Sequence, residues 1–276
     1  MNVISWNVNG LRSAAAKGLV KFMRKESPDF FCLQEIKAQQ DQLTTSLANP
    51  KDYYSYFNLA SKKGYSGVAV YTKQRSLRVL RGFGNRRFDN EGRFLSLEFP
   101  NFILINIYMP HGGRAKENLA YKLDIYKAFL KKLRNINNKE VILVGDFNIA
   151  HTEMDLANSK QNKNNIMFTP RERQQIDFLE TYGFTDTFRI FNKDKGNYTW
   201  WPYAFNARAR NVGWRIDYAF VSQKLLDKVT NAHIFKDVFG SDHCPIGLEL
   251  NMKKVPTSSL IPTQARKKLM TSRIKK

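Results

Sequence analysis

The chain reads as an α/β protein in which two packed, largely antiparallel β-sheets carry helices on their outer faces. Three observations lead there. Short β-branched and aromatic runs recur too irregularly for a repeating βαβ array, helical spacing appears between only some of them, and turn-forming residues join neighbouring runs closely enough for hairpins. The strand-like runs lie near 2–8, 29–35, 66–72, 77–81, 93–99, 102–108, 141–146, 215–222, 231–235 and 245–250. The clearest helix is 116–134, where Leu119, Leu123, Tyr126, Leu130 and Leu133 recur at helical spacing, and 13–26 and 170–182 are also expected to be helical. "PN" at 100–101 and "KQR" around Gln74 read as hairpin turns, so the strands flanking each should run antiparallel.

No repeat or linker interrupts residues 1–251, which are expected to form one domain. From 252 to 276 the pattern gives way to basic residues broken up by Ser and Pro, with no acidic residue, and a flexible basic tail is expected. An apolar share of 42% suits a folded chain, and no apolar run is long enough to span a bilayer, so a soluble, monomeric protein is expected. "MNVISWNVNG" enters a strand at once and leaves no room for a leader, which makes the cytoplasm the expected compartment. Cys32 and Cys244 lack metal-type spacing and suit buried, reduced thiols. Against 24 Asp and Glu stand 45 Lys and Arg, a formal +21. Such a surface attracts polyanions, nucleic acid above all. General solubility, a biased genome composition and acidic membrane headgroups are the competing explanations.

The strand ends are where chemistry is concentrated. "VGDFN" closes an apolar run with Asp146 and Asn148, two positions apart and so on one face of an extended segment. Taken alone it is equally a turn. Other strands also end in polar groups: Asn7 and Asn9 in "SWNVNG", Glu35 in "DFFCLQE", Asp217 in "WRIDYAFV", and Asp242 and His243 in "GSDHCP". These residue types suit phosphodiester hydrolysis, which needs charge neutralisation at the phosphoryl oxygens, an aligned water and help for the leaving oxygen. Glu35, Asp242 and the Asn7 carbonyl suit a hard cation such as Mg²⁺, while Asp217 would orient His243 and favour its charged form. Neither a cysteine nor a serine lies in a nucleophile motif.

"WNVNGLR", "LQEIK", "GYSGVAVYTK", "NIYMPHGG", "GDFNIAH", "NVGWRIDY" and "GSDHCPIGLEL", in this order over about residues 1–251, resemble the exonuclease III family of AP endonucleases. The resemblance implies a four-layered α/β sandwich that cuts double-stranded DNA 5′ to an abasic site with Mg²⁺, Mn²⁺ being an alternative, often with 3′ exonuclease or 3′-end repair activity. By the same resemblance, Glu35 is the main metal carboxylate, with Asn7, Asp146, Asn148, Asp242 and His243 at or near the metal. Asp146 activates water, Asn148 stabilises the phosphoryl group, His243 with Asp217 contacts the scissile phosphate, and Tyr108 aids the leaving group. Arg12, Lys37, Arg114, Asn162 and Asn165 match DNA-contacting positions, and Trp200, Trp214 and Ile216 match the pocket for the baseless sugar, although core packing would equally explain the tryptophans. Two departures stand out: Ala204 where relatives often carry a bulkier minor-groove wedge, and Asn9 where some carry Asp. A nonspecific DNase, a phosphoesterase acting on inositol phosphates or lipid headgroups, and a noncatalytic DNA-binding relative are the alternatives.

Overall fold

The computed structural model describes residues 1–136 and 138–252, so the expected tail lies, apart from Met252, outside the described residues. Twelve strands form: β1 Asn2–Asn7, β2 Phe30–Gln34, β3 Tyr54–Asn58, β4 Val68–Thr72, β5 Arg78–Leu80, β6 Phe94–Glu98, β7 Ile103–Tyr108, β8 Val141–Asp146, β9 Phe184–Asp186, β10 Asp217–Ser222, β11 Val229–Ile234 and β12 Ile246–Leu250. They make two six-stranded sheets, ordered β11-β12-β1-β2-β4-β3 and β5-β6-β7-β8-β10-β9. Among the described residues, only the β1–β2 and β7–β8 pairs are parallel.

Period-two alternation explains the layering. In β2, Phe30 and Cys32 face the second sheet and meet Leu95, Leu104, Ile142 and Val144. Phe31 and Leu33 point the other way, onto Leu11 and Phe22 of the helices Leu11–Ala16 and Leu19–Glu26. On the far side, Ile125, Phe129 and Leu133 of helix Leu119–Arg134 and Ile176 and Leu179 of helix Pro170–Thr181 cover Ile105, Leu143 and Phe220. A strand buried on both faces needs a near-continuous apolar run, which is why "DFFCL" and "VILV" read as they do. The result is the expected four-layered sandwich. Where the sheets meet, a polar clamp fixes their relation: Gln34 Nε2 donates to Asn106 Oδ1 at 2.7 Å, and Asn106 Nδ2 donates to the Leu33 and Ala69 carbonyls.

Three expectations are corrected. The helix expected at 13–26 is two helices, because Gly18 adopts φ 106 and breaks the ladder between them. The turn near Gln74 is no hairpin: β4 is already paired on both edges, by β2 and β3, so the chain crosses to the other sheet and begins β5 there. The third concerns the edge strands β3 and β9, which lie outside the expected runs. By contrast, "PN" at 100–101 does join an antiparallel pair, β6 and β7. Among the described residues, no helix is long and apolar enough to cross a membrane.

Candidate active site

The topology brings the polar strand ends to one edge. Because β1 and β2 are parallel, Asn7 ends level with Gln34, next to Glu35. Because β7 and β8 are parallel, Tyr108 lies opposite Asp146, and antiparallel β10 begins with Asp217 on the other side of Asp146. Antiparallel β12 starts beside the end of β1, which delivers Asp242 and His243.

At the end of β8 the turn and the site prove to be the same object. Gly145 has φ 146, and a Cβ there would lie 1.9 Å from the Ile107 carbonyl, so only glycine fits. Phe147 is fully buried and anchors the next step. Asn148 then takes φ 51, its N–H donating to Asp146 Oδ1 at 2.8 Å, while its Nδ2 donates to Asp146 Oδ2 at 3.2 Å and the Met109 carbonyl at 2.9 Å. The two side chains meet through this turn rather than through strand alternation. Both amide protons of Asn148 are engaged inside the protein.

Asn7, fully buried, sits between two carboxylates. Its Nδ2 donates to Glu35 Oε1 at 3.1 Å and Asp146 Oδ2 at 2.9 Å, and its Oδ1 accepts from Asn9 N. The sequence reading expected the Asn7 carbonyl to face a metal; with an acceptor on either side, the donor end is turned there instead. Glu35 also accepts from Tyr108 at 2.6 Å and pairs with Lys37 at 2.7 Å. Burial opposes its ionisation, but Lys37, Tyr108 and Asn7 outweigh that and hold the carboxyl below its ordinary value. Burial, then the Glu35 charge, pushes the Tyr108 hydroxyl well up, so it stays a donor.

His243 Nδ1 meets Asp217 Oδ2 at 2.8 Å, with both residues under 5% exposed. Burial disfavours the imidazolium, yet Asp217, with Asp146 and Asp242, raises its pKa to about 10. Asp146 moves the other way from the usual carboxylate: burial, then the charge of Asp217, raises it to about 7, against His243 and Asn7. For Asp242, burial is outweighed by His243, Asn9 and Trp200, and its pKa is lowered.

Two places offer metal ligands. Asp146, Asp217 and His243 have ligand atoms within 4.8 Å of one another, but the bond from His243 to Asp217 uses that contact for an ion pair. The other place fits a hard cation better. Glu35 Oε2 and Asn9 Oδ1 already converge on a cation, the Lys37 ammonium, at 2.7 and 2.5 Å, and Asp242 Oδ1 joins them through Asn9 Nδ2 at 2.9 Å. This is an all-oxygen set with two carboxylates, the chemistry Mg²⁺ or Mn²⁺ prefers.

Beside the carboxylates lies an apolar cluster with two tryptophans at its rim. Trp200 and Trp214 are half-buried against Ile166, Met167 and Phe168, and Trp200 Nε1 donates to Asp242 Oδ2 at 3.0 Å. Ile216 is 1% exposed and backs these rings instead of presenting surface. Arg12 and Arg114 are exposed; Asn165 is exposed and donates to the half-buried Asn162 at 2.9 Å. Sequence reading missed Phe205, 88% exposed at φ 57 beside the small Ala204, and Tyr203, 73% exposed. It also missed Arg93, a buried guanidinium stacked 4.3 Å from the Tyr108 ring centre. Two aromatics on the turn "YAFN", where a core needs none, are the available signal for the first pair.

The chain matches the Endonuclease/Exonuclease/phosphatase family over residues 4–243. It is 44% identical over 256 residues to an exodeoxyribonuclease of Bacillus subtilis, covering 91% of this chain and 100% of that one. A DNA-(apurinic or apyrimidinic site) endonuclease of Dictyostelium discoideum is 41% identical over 260 residues, covering 91% and 71% of the respective chains. Among solved structures, an AP endonuclease from Leishmania major superposes with a TM-score of 0.81 at 28% identity, over 91% of this chain and 88% of that one.

Proposed function

Since the chain belongs to the Endonuclease/Exonuclease/phosphatase family and is a DNA-repair nuclease, we propose that it cleaves the DNA backbone 5′ to abasic sites. Some 3′–5′ exonuclease or 3′-end repair activity accompanies this cleavage. The observation that carries the reading is the convergence of Glu35, Tyr108, Asp146, Asp217 and His243 on one edge of the two sheets, next to an apolar cluster that holds Trp200 and Trp214.

Each residue has a task that follows from its surroundings. Asp146, with a pKa raised to about 7, accepts a proton from the attacking water, and the Asn148 turn holds the carboxylate in place. His243, kept cationic by Asp217, draws the scissile phosphate through its remaining ring nitrogen. The protonated Tyr108 hydroxyl is a donor for the phosphate or the leaving oxygen. Glu35, Asp242 and Asn9, with Asn7 supporting Glu35, would hold Mg²⁺, or Mn²⁺ in its place, which when bound would supply charge neutralisation at the phosphoryl oxygens. Trp200 and Trp214 receive the baseless sugar over a floor that includes Ile216, and an intact base would collide with these walls. The exposed Phe205 is the apolar wedge that Ala204 is too small to be. Arg12, Lys37, Arg114, Asn162 and Asn165 serve the duplex backbone, within a surface of formal charge +21.

The test is cleavage of an end-labelled duplex carrying one abasic analogue, beside the undamaged duplex, with and without Mg²⁺. A single Mg²⁺-dependent cut 5′ to the analogue is expected. Equal cutting of both duplexes, or none in Mg²⁺, would contradict the reading.

A further inference from the structure

Lys122 lies on the apolar stripe of helix Leu119–Arg134, three residues after Leu119 and four before Tyr126, and is 0% exposed. Its ammonium has three protons and finds three acceptors: Glu172 Oε1 at 2.5 Å, the Asn148 carbonyl at 2.6 Å and the His111 carbonyl at 3.2 Å. Glu172, also 0% exposed, is occupied just as fully. Its Oε1 accepts from Met167 N at 3.0 Å, and its Oε2 accepts from Thr169 N at 3.1 Å and Thr169 Oγ1 at 2.8 Å. Apolar residues of similar volume in place of a buried ion pair are often neutral or stabilising, so stability alone does not account for this one.

What sets the pair apart is what it joins. Asn148 adopts φ 51 and turns its carbonyl into the protein, where Lys122 is its donor, while its side chain stays against Asp146. Met167 adopts φ 69, and its N–H ends on Glu172 while its carbonyl accepts from Ala150 N at 2.8 Å. Ile166, Met167 and Phe168 pack in one apolar cluster with Trp200 and Trp214, Phe168 meeting Trp214 edge-on, and in the proposed reading they wall the sugar pocket. The 111–113 loop is fitted to both parts: a Cβ on Gly112 would lie 2.7 Å from Ile166 Cδ1 and 3.3 Å from Lys122 Cδ.

We propose that Lys122 and Glu172 are positioning residues that hold the Asp146–Asn148 turn and the pocket wall at 166–168 in one fixed relation. The proposal rests on the reading above, in which that turn serves the chemistry and that wall receives the sugar. An ammonium suits the task because one small group can bind three acceptors from different segments. Small misplacement of a reacting group by a change away from the chemistry costs up to about 100-fold in rate.

The experiment compares Lys122→Met and Glu172→Gln with the parent. Three quantities are measured: single-turnover cleavage of the abasic duplex in saturating Mg²⁺, the dissociation constant of that duplex in Ca²⁺, and thermal unfolding. Expected is a rate lower by roughly 10- to 100-fold in at least one variant that melts cooperatively, with a dissociation constant within about threefold of the parent's, since the basic surface that carries duplex affinity is left intact. A cooperatively melting variant with an unchanged rate would overturn the proposal. So would rate and binding falling in parallel, or neither variant folding, because the pair would then be a folding requirement only. A parent that fails to cut the abasic duplex would refute the proposed function instead, which keeps the two failures apart.

Discussion

Asp146, Asp217 and His243 are each less than 5% exposed and hydrogen-bonded to neighbours that are themselves fixed, whereas Tyr203 and Phe205 stand 73% and 88% exposed. Trp200 and Trp214 lie between these extremes, half-buried, with Trp200 bonded back to Asp242. The first region is preorganised: its charges are set by burial and by one another, so little has to move when a phosphate arrives. The second presents rings to solvent. If, as proposed, the first region carries the chemistry and the second the selection, changes in each should affect different measurements.

Outside the turn at 146–148, the largest effect is expected at His243. His243→Ala removes the cation facing the phosphate and leaves Asp217, already lacking a partner for Oδ1 among the described residues, buried without its counter-charge. Single-turnover cleavage should fall by at least ~100-fold, while duplex affinity, carried by the basic surface, changes little. A rate within threefold of the parent's would place His243 outside the chemistry. A smaller and differently directed effect is expected in the pocket. Trp214→Ala enlarges it, so the preference for abasic over undamaged duplex should shrink by about 10-fold, with the rate on the abasic duplex reduced less. Should Trp214→Ala slow both substrates equally, the division into two regions would fail there.

Much of the first region was legible because an apolar run that stops at a carboxylate is visible in sequence. Asp146 and Glu35 each follow a stretch buried on both faces, Asp217 opens one, and the parallel β1–β2 and β7–β8 pairs with antiparallel β10 align these ends. The pocket was less legible, since a tryptophan that receives a ligand and one that fills a core have the same composition; Ile216 turned out to be floor rather than surface. Edge strand β3, "YSYFN", is only partly buried and carries no clear alternation, so it lay outside the expected runs. Lys122 did have a signal, a lysine at an apolar-stripe position, which is easily taken for a surface charge. Lys37 gave none: its place between Glu35 and Asn9 depends on positive φ at Glu35 and Lys37, which no spacing rule supplies.

The account stands or falls on the turn at 146–148, which is a turn by its hydrogen bonds and, on the proposed reading, the base of the reaction by its charge. Asp146→Asn tests these roles, because asparagine can still accept from Asn148 N while losing charge and basicity and exchanging the acceptor that Asn7 and the Asn148 side chain use for a donor. The measurement is single-turnover cleavage of the abasic duplex by this variant, beside its dissociation constant in Ca²⁺. The account predicts a rate lower by ~100- to 10,000-fold with binding unchanged or tighter, since one negative charge facing the phosphate is gone. A rate within about threefold of the parent's, too small a loss for general base catalysis, would contradict it and leave "VGDFN" a turn and nothing more.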